Sequence, residues 1–229
     1  MSAVRVALVE DEPLFRSLLE QYMVRHPRFE VVGAFADGAT ALAELPALEP
    51  DVVTLDIELP GRLDGIQVGL RLRQAMPHLG IIILSNHADV RFLGAFPRAV
   101  TGGWSYLLKK SVSDVQTLDR AVEGAAQGVV TLDPAVVDRM RPRSGSRVDR
   151  LTPRQRDILR LVAQGLTNAA IAEHLVLAEK SVENQLTAIY AELGIDRREE
   201  SLHPRVSAVL SYLQESRFTA RVTPMKSPL

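Results

Sequence analysis

Short apolar runs alternate with amphipathic stretches along the first half of the chain. Apolar runs such as Val4–Val9 have the length of buried strands, whereas the segments between them repeat apolar residues every three or four positions, as helices do. The pattern predicts strands over residues 4–9, 30–35, 51–57, 79–85 and 105–109, and helices over residues 13–26, 39–48, 64–76, 90–99 and 113–127. Strands that alternate with helices form a parallel sheet covered on both faces. We therefore predict an α/β domain with a doubly wound, five-stranded parallel sheet.

The pattern changes after residue 132. A short helical segment over 134–140 leads into RPRSGSRVDR, which has no periodicity and is typical of a linker. Four helical segments follow, over residues 153–163, 168–175, 180–193 and 204–215, and no strand is predicted among them. We predict a first domain over 1–128, a linker with a short helix over 129–150, a small all-α domain over 151–215 and a flexible tail over 216–229.

Composition excludes several classes of protein. The chain has 229 residues, of which 46% are hydrophobic and 24% charged, as in ordinary globular proteins. It has no cysteine, and its five histidines are scattered, which excludes a disulfide framework, thiol catalysis and a thiolate zinc site. Acidic residues follow the first apolar run too early for a secretory leader, and no run of eighteen apolar residues exists, so we expect a cytoplasmic protein with no membrane partner.

Charge is distributed unevenly, although the net charge is −1. The first 125 residues hold 16 acidic and 12 basic residues, whereas residues 126–150 hold three acidic and five basic ones. A modest basic face can be hidden behind an acidic partner domain. The charge balance therefore neither supports nor excludes binding to nucleic acid.

Polar side chains stand at the ends of the predicted strands. Glu10 and Asp11 follow the first strand, Asp56 lies in the third, Ser85 ends the fourth and Lys109 ends the fifth. Ligands of doubly wound sheets bind outside the carboxyl ends of the strands, so these groups should converge. Crowded carboxylates need a cation between them, and an all-oxygen set suits Mg²⁺. A magnesium ion beside a lysine makes a site for a phosphoryl group.

These positions, with LDIELPG at residues 55–61 and Asp-Gly at 64–65, resemble the receiver domain of two-component response regulators. The resemblance implies a flavodoxin-like receiver fold in which Asp56 accepts a phosphoryl group from a histidine kinase. Glu10, Asp11, Asp56 and the backbone carbonyl of Glu58 would then hold Mg²⁺.

The resemblance also assigns roles around the acceptor. Ser85 would hydrogen-bond the phosphoryl group and Lys109 would pair with it. Tyr106, three residues before the lysine, would be the switch aromatic. An aromatic residue near the start of a strand can also simply belong to the core.

The segment from Leu151 to Ile195 resembles the LuxR-type helix-turn-helix of NarL/FixJ-family regulators, on the motifs LTPR, GLTN, SVEN and LGI. Val182, Leu186, Ile189 and Leu193 recur at helical spacing and should form one apolar stripe, which leaves the opposite face of this helix outward. The resemblance implies that this is the recognition helix, which inserts into the major groove of DNA and contacts base edges there. The candidate DNA-binding residues are Lys180, Ser181, Glu183, Asn184, Thr187, Thr167 and Asn168.

The outward face of that helix has few basic residues, because Glu183 is acidic and Gln185 is neutral. We expect modest affinity from one domain, raised by dimerisation on two half-sites. Three arginines on the preceding helix, Arg154, Arg156 and Arg160, either contact DNA or form a solvated face. The apolar stripe of the last helix serves either a dimer contact or the core of its own domain.

We expect a response regulator and transcription factor, not an enzyme. A sensor histidine kinase would phosphorylate Asp56 in a Mg²⁺-dependent reaction, which would control homodimer formation and binding to promoter double-stranded DNA. One alternative is a regulator that acts by protein–protein contact with little DNA binding. The other is a Mg²⁺-dependent aspartyl-phosphate hydrolase. Such enzymes need a second aspartate two residues after the nucleophilic one, whereas in this chain that position is Glu58, followed by Leu59 rather than the usual small residue.

Overall fold

The computed structural model describes residues 2–87, 102–196 and 203–218. The helix that the sequence predicts over residues 90–99 lies outside these ranges, as do residues 219–229 of the predicted tail.

A parallel sheet forms the centre of the first domain, as predicted. Its strands are β1 (Val4–Val9), β2 (Phe29–Phe35), β3 (Val52–Asp56), β4 (Gly80–Ser85), β5 (Trp104–Leu108) and β6 (Thr131–Leu132). Their order is β2-β1-β3-β4-β5-β6, so the first five follow the flavodoxin-like order.

The sixth strand is a difference from the five-stranded prediction. It pairs Thr131 with Ser105 and Leu132 with Tyr106, beside β5. A strand of two residues shows no alternation in the sequence, because a period of two needs several residues to become visible.

Within the described ranges, four α-helices cover this sheet: α1 (Pro13–Arg25), α2 (Gly38–Leu48), α3 (Gly65–Ala75) and α4 (Val115–Ala126). Their starts follow local chemistry, with Pro13 in the first turn of α1 and Asp37 accepting a hydrogen bond from Thr40 N at the start of α2. Two apolar layers result, one on each face of the sheet. Ile82 packs in one layer and Ile83 in the other, since alternate side chains of a strand point to opposite faces.

The segment after the parallel sheet has more regular structure than the predicted linker, for which only one short helix over residues 134–140 was expected. It contains α5 (Pro134–Val137), β7 (Met140–Pro142) and α6 (Arg147–Arg150). Val136, Val137, Met140 and Val148 are buried. Their apolar contacts hold this segment in place, and elements as short as β7 and α6 leave no periodic pattern in the sequence.

The predicted tail begins with a strand. β8 (Ser216–Phe218) pairs antiparallel with β7, so that Met140 faces Phe218 and Pro142 faces Ser216. The prediction of a flexible tail was wrong for these three residues. Their partner strand is more than seventy positions away, and such a pairing leaves no local signal.

The second domain is helical, with α7 (Pro153–Ala163), α8 (Asn168–Leu175), α9 (Glu179–Glu192) and α10 (Pro204–Glu215). Thr152 and Gln155 form a capping box at the start of α7. The predicted apolar stripe is confirmed, since Val182, Leu186 and Ile189 of α9 are buried.

Helix α10 contributes to the core of its own domain. Val206, Ala208, Val209, Tyr212 and Leu213 are all buried within the single chain. Of the two interpretations of its apolar stripe, closure of the domain's own core is the one that the packing supports.

Candidate functional site

The ends of β1, β3 and β5 bring four of the predicted site residues together. Glu10, Asp11 and Asp56 each place one carboxylate oxygen within 4.8 Å of the oxygens of the other two. Glu10 is 0% exposed, Asp56 2% and Lys109 8%, whereas Asp11 is exposed. The parallel register, which sets Val9 beside Leu55 and Leu55 beside Ile83, aligns the strand ends and produces this convergence.

Lys109 binds two of the carboxylates. Its Nζ donates to Glu10 Oε1 and to Asp56 Oδ2, each at 2.8 Å. Burial alone would lower the pKa of Lys109, but hydrogen bonds and charges from Asp56 and Glu10 raise it. The ring of Phe15 lies 4.9 Å from the same nitrogen, a cation–π contact. The lysine is therefore held as a charged group in the centre of the site.

Glu10 is a carboxyl group under strong desolvation. Burial, supplemented by the charge of Asp56, raises its pKa to about 7 against the opposing influence of Lys109. Its Oε1 also accepts from Glu12 N, at 3.2 Å. Its Oε2 is buried and has no hydrogen-bond partner among the described residues. Burying this oxygen without a partner costs free energy, and a bound cation would remove that cost.

The backbone after β3 closes tightly around Asp56. Asp56 Oδ1 accepts a hydrogen bond from Glu58 N at 3.1 Å. Helix α3 begins so near that a Cβ on Gly65 would lie 1.9 Å from the carbonyl oxygen of Asp56. Asp64 and Gln67 form a capping box at this helix start. The Asp-Gly pair is thus explained by a cap followed by a position where only glycine fits.

Ser85 and Tyr106 meet at one backbone oxygen. Ser85 Oγ donates to the carbonyl of His87 at 2.8 Å, and Tyr106 OH donates to the same carbonyl at 2.6 Å. Ser85 Oγ also accepts from His87 N, at 3.2 Å. Tyr106 is fully buried. The two predicted switch residues therefore share a hydrogen-bond acceptor.

Helix α9 presents the five predicted DNA-binding residues that lie on it, Lys180, Ser181, Glu183, Asn184 and Thr187, as exposed side chains. Lys180 Nζ pairs with Glu183 Oε2 at 2.8 Å, and Thr187 Oγ1 donates to the carbonyl of Glu183 at 3.0 Å. The single lysine on this face is therefore partly neutralised by its own helix.

The two predicted contacts outside α9 already have intramolecular partners. Thr167 Oγ1 accepts from Ala170 N at 3.2 Å and so caps α8. Asn168 Oδ1 accepts from Arg205 at 3.0 Å, and the same guanidinium donates to the carbonyl of Leu166. Both side chains fix the start of α8, which any role in DNA binding would have to share.

Two of the three arginines on α7 are also engaged within the chain. Arg154 donates to the carbonyl of Leu175 at 2.8 Å, and Arg160 pairs with Asp138 of the linker at 2.7 Å. These contacts favour a structural role over a solvated face for both residues.

Comparisons with known proteins match both halves of the chain. Residues 6–123 match the response regulator receiver domain, and residues 149–203 match the luxR family of bacterial regulatory proteins. The transcriptional activator DevR/DosR of Mycobacterium tuberculosis is 34% identical over 86% of this chain and 92% of its own length. The nitrate/nitrite response regulator NarL of Escherichia coli is 30% identical over 86% of this chain and 92% of its own length. This chain belongs to the NarL/FixJ family of two-component response regulators.

Solved structures agree with the fold of this response regulator. A structure of two RcsB dimers on two parallel DNAs covers 93% of this chain and 99% of its own, with 23% identity and a TM-score of 0.53. A LuxR-family response regulator from Aurantimonas covers 60% of this chain and 94% of its own, with 28% identity and a TM-score of 0.50. No helix in the described ranges is long and apolar enough to cross a membrane.

Sequence reasoning missed several residues around the site of the response regulator. Arg16 donates to the backbone carbonyls of Glu10, at 2.5 Å, and Asp11, at 3.3 Å. Phe15 lies over Lys109, and the backbone carbonyl of His87 accepts hydrogen bonds from Ser85 and Tyr106. The position of Phe15 and Arg16 in the first turn of α1, soon after Glu10 and Asp11, could have predicted from sequence that both side chains lie near the site. Nothing in the pattern indicated a role for the backbone of His87.

Proposed function

We propose that Asp56 is the phosphoacceptor of this response regulator and receives its phosphoryl group from a phosphohistidine of a sensor kinase. The observation that carries this proposal is a buried carboxylate at a strand end, hydrogen-bonded to a charged lysine and flanked by two further carboxylates. An oxygen of Asp56 forms the new O–P bond as the N–P bond of the phosphohistidine breaks. Lys109 neutralises charge on the phosphoryl oxygens.

The acidic cluster fits Mg²⁺. Glu10, Asp11 and Asp56 supply oxygen ligands within reach of one ion, and the unpaired Glu10 Oε2 would gain a partner. The resemblance to receiver domains adds the backbone carbonyl of Glu58 as a further Mg²⁺ ligand. When bound, Mg²⁺ contributes charge neutralisation at the transferring phosphoryl group.

Ser85 and Tyr106 relate phosphorylation to the rest of the domain. In this proposal, Ser85 leaves the carbonyl of His87 and donates to the phosphoryl group on Asp56. Of the two hydroxyls, only that of Tyr106 then still donates to the carbonyl of His87. This change alters the surface around β5.

The output is binding to promoter double-stranded DNA as a homodimer that phosphorylation favours. Lys180, Ser181, Asn184 and Thr187 would meet the major groove, with Glu183 limiting affinity, and Thr167 and Asn168 would lie at the backbone. With a kinase and DNA as partners, the protein acts in the cytoplasm as a regulator rather than as an enzyme. The neutralised Lys180 favours one second candidate, a regulator that acts by protein contact.

The acceptor is tested by treating the protein with Mg²⁺ and acetyl phosphate and measuring intact mass. Wild type and Asp51→Asn, which changes an exposed aspartate at the start of the β3 region, should gain one phosphoryl group. Asp56→Asn should gain none. Modification of Asp56→Asn, or none in wild type, would overturn the assignment.

The output is tested by selecting genomic fragments with beryllofluoride-activated protein at low salt. Recovered fragments should bind less tightly to Asn184→Ala, by about 1–3 kcal/mol if Asn184 reads a base edge. Recovery of no fragment would support the protein-contact regulator instead.

A further inference from the structure

Asp133 is a fully buried carboxylate, 0% exposed, that takes no part in the phosphorylation chemistry described above. Its Oδ2 accepts a hydrogen bond from Leu108 N at 2.9 Å, and its Oδ1 accepts one from Ala135 N at 2.8 Å. Its own backbone N–H donates to the carbonyl of Tyr106 at 2.7 Å. One residue therefore joins the end of β5 to the start of α5 through three hydrogen bonds.

On the receiver side, these bonds reach residues next to the acceptor site. Leu108 immediately precedes Lys109, whose Nζ contacts Asp56. Tyr106 contributes its carbonyl to Asp133 and its hydroxyl to the His87 carbonyl that Ser85 also uses. Any shift of β5 that follows phosphorylation would therefore displace Asp133 through its hydrogen bonds to Leu108 and Tyr106.

On the other side, Asp133 holds the start of α5, and α5 packs against the DNA-binding domain. Ala135 lies in α5, a helix of only four residues that cannot be stable alone. Its Val136 and Val137 are buried in the same apolar cluster as Trp104 of β5 and Ile158 of α7. Asp138, directly after α5, pairs with Arg160 of α7 at 2.7 Å.

We propose that Asp133 is a positioning residue that fixes the linker helix to β5 and thereby couples the phosphorylation state of Asp56 to the placement of the DNA-binding domain. This inference rests on the proposed function. An aspartate suits the task because its two oxygens accept from two backbone N–H groups at once. Since both donors are buried or half-buried, each depends on this acceptor.

The test uses Asp133→Asn, in which the amide oxygen can still cap Ala135 but the amide nitrogen has no acceptor to offer Leu108. Because the chain has no cysteine, Glu44→Cys and Ala191→Cys can carry one spin label on the exposed surface of each domain. The distance distribution between the labels is measured without activation and with Mg²⁺ and beryllofluoride. Intact mass after acetyl phosphate treatment and circular dichroism report phosphorylation and folding of the same proteins.

We expect a defined distance in labelled wild type that shifts on activation. In Asp133→Asn the unactivated distribution should broaden and the activation shift should be lost, while phosphorylation of Asp56 is retained. An unchanged distribution in Asp133→Asn would overturn the inference, as would a broadened one that still shifts as wild type does. Loss of the shift without broadening would place the effect inside the receiver and would also overturn it.

The controls separate this inference from the proposed function. Asp37→Asn makes the same substitution at another helix cap, where Asp37 accepts from Thr40 N at 2.8 Å, and should behave as wild type. If wild type is not phosphorylated at all, the proposed function fails, yet the unactivated distribution still tests whether Asp133 fixes the linker. Should Asp133→Asn fail to fold, Asp133→Thr, which can cap Ala135 through its hydroxyl, replaces it with the same expected results.

Discussion

At the residue scale, the site around Asp56 holds more carboxylates than one lysine can balance. Lys109 lies between Glu10 and Asp56, and burial, supplemented by the charge of Asp56, still raises the pKa of Glu10 to about 7. The site of the metal-free protein is therefore a place where protons and cations compete for the same oxygens.

A pH dependence of stability follows from Glu10. Its folded pKa, about 7, lies above its ordinary value of 4.5, so the folded state binds the proton more tightly than the unfolded state. Metal-free stability should then fall as pH rises from about 4.5 to about 7, and Glu10→Gln should remove that fall, worth about 1–3 kcal/mol. Urea unfolding at pH 5 and pH 8 without Mg²⁺ measures it. Equal pH dependence in wild type and Glu10→Gln would contradict the assignment.

Removing Lys109 should expose the same imbalance. Lys109→Met leaves two buried carboxylates without their cation, and should destabilise the metal-free protein by about 3–5 kcal/mol. Mg²⁺ should restore part of the loss, since it neutralises the same oxygens. The neighbouring exposed Lys110→Met should change stability by less than about 0.5 kcal/mol. Chemical unfolding with and without Mg²⁺ makes the comparison, and equal effects of the two variants would contradict it.

The sequence was sufficient to predict which charged groups converge, because the ends of parallel strands meet at one edge. It was not sufficient for Phe15 above Lys109 or for Arg205 on Asn168, since these contacts depend on how helices pack. The shared carbonyl of His87 was also out of reach, because a backbone oxygen carries no residue-specific signal.

At the element scale, α3 begins against the end of β3, and Gly65 permits that approach. Gly65→Ala should destabilise the protein by about 1–3 kcal/mol through overpacking and slow the phosphorylation of Asp56. Gly124→Ala in α4 is the matched control, because the nearest atom to its added Cβ lies at 3.4 Å and alanine favours a helix. Thermal unfolding and the rate of phosphorylation by acetyl phosphate measure the two effects. A neutral Gly65→Ala would contradict the close approach.

Element length decided which parts of the fold could be predicted. The five long strands stand out as apolar runs and the long helices by a period of 3.6, and within the described ranges their predicted positions agree closely with the structure. β6, β7 and β8 have two or three residues each, and they exist because of their partners. Local pattern could not have indicated them.

At the scale of the whole molecule, one apolar cluster runs from the receiver through the linker into the helical domain. Trp104, Val137 and Ile158 all belong to it. The approach is close at Gly165, where an added Cβ would lie 2.7 Å from Thr131 Oγ1 of β6. The two domains therefore share interior packing as well as a chain connection.

This shared cluster predicts a common unfolding transition. Trp104 fluorescence and far-ultraviolet circular dichroism should report the same midpoint in urea. Val137→Ala should lower the stability seen by both probes by about 1–3 kcal/mol, whereas Val24→Ala, at a valine that is 65% exposed on α1, should have little effect. Two separate midpoints in wild type would show that the cluster does not join the domains energetically.

The two-stranded ribbon of β7 and β8 joins the segment before the helical domain to the segment after its last helix. The chain enters this domain along β7 and passes out of its last helix along β8, and the two strands are hydrogen-bonded to each other. A rotation of the domain that keeps the ribbon intact must carry both strands with it, so its pivot lies before Met140. The pivot of any such rotation therefore lies between β6 and β7, in the segment that contains α5, and a longer or looser stretch at residues 143–146 would not widen the domain's range of orientations.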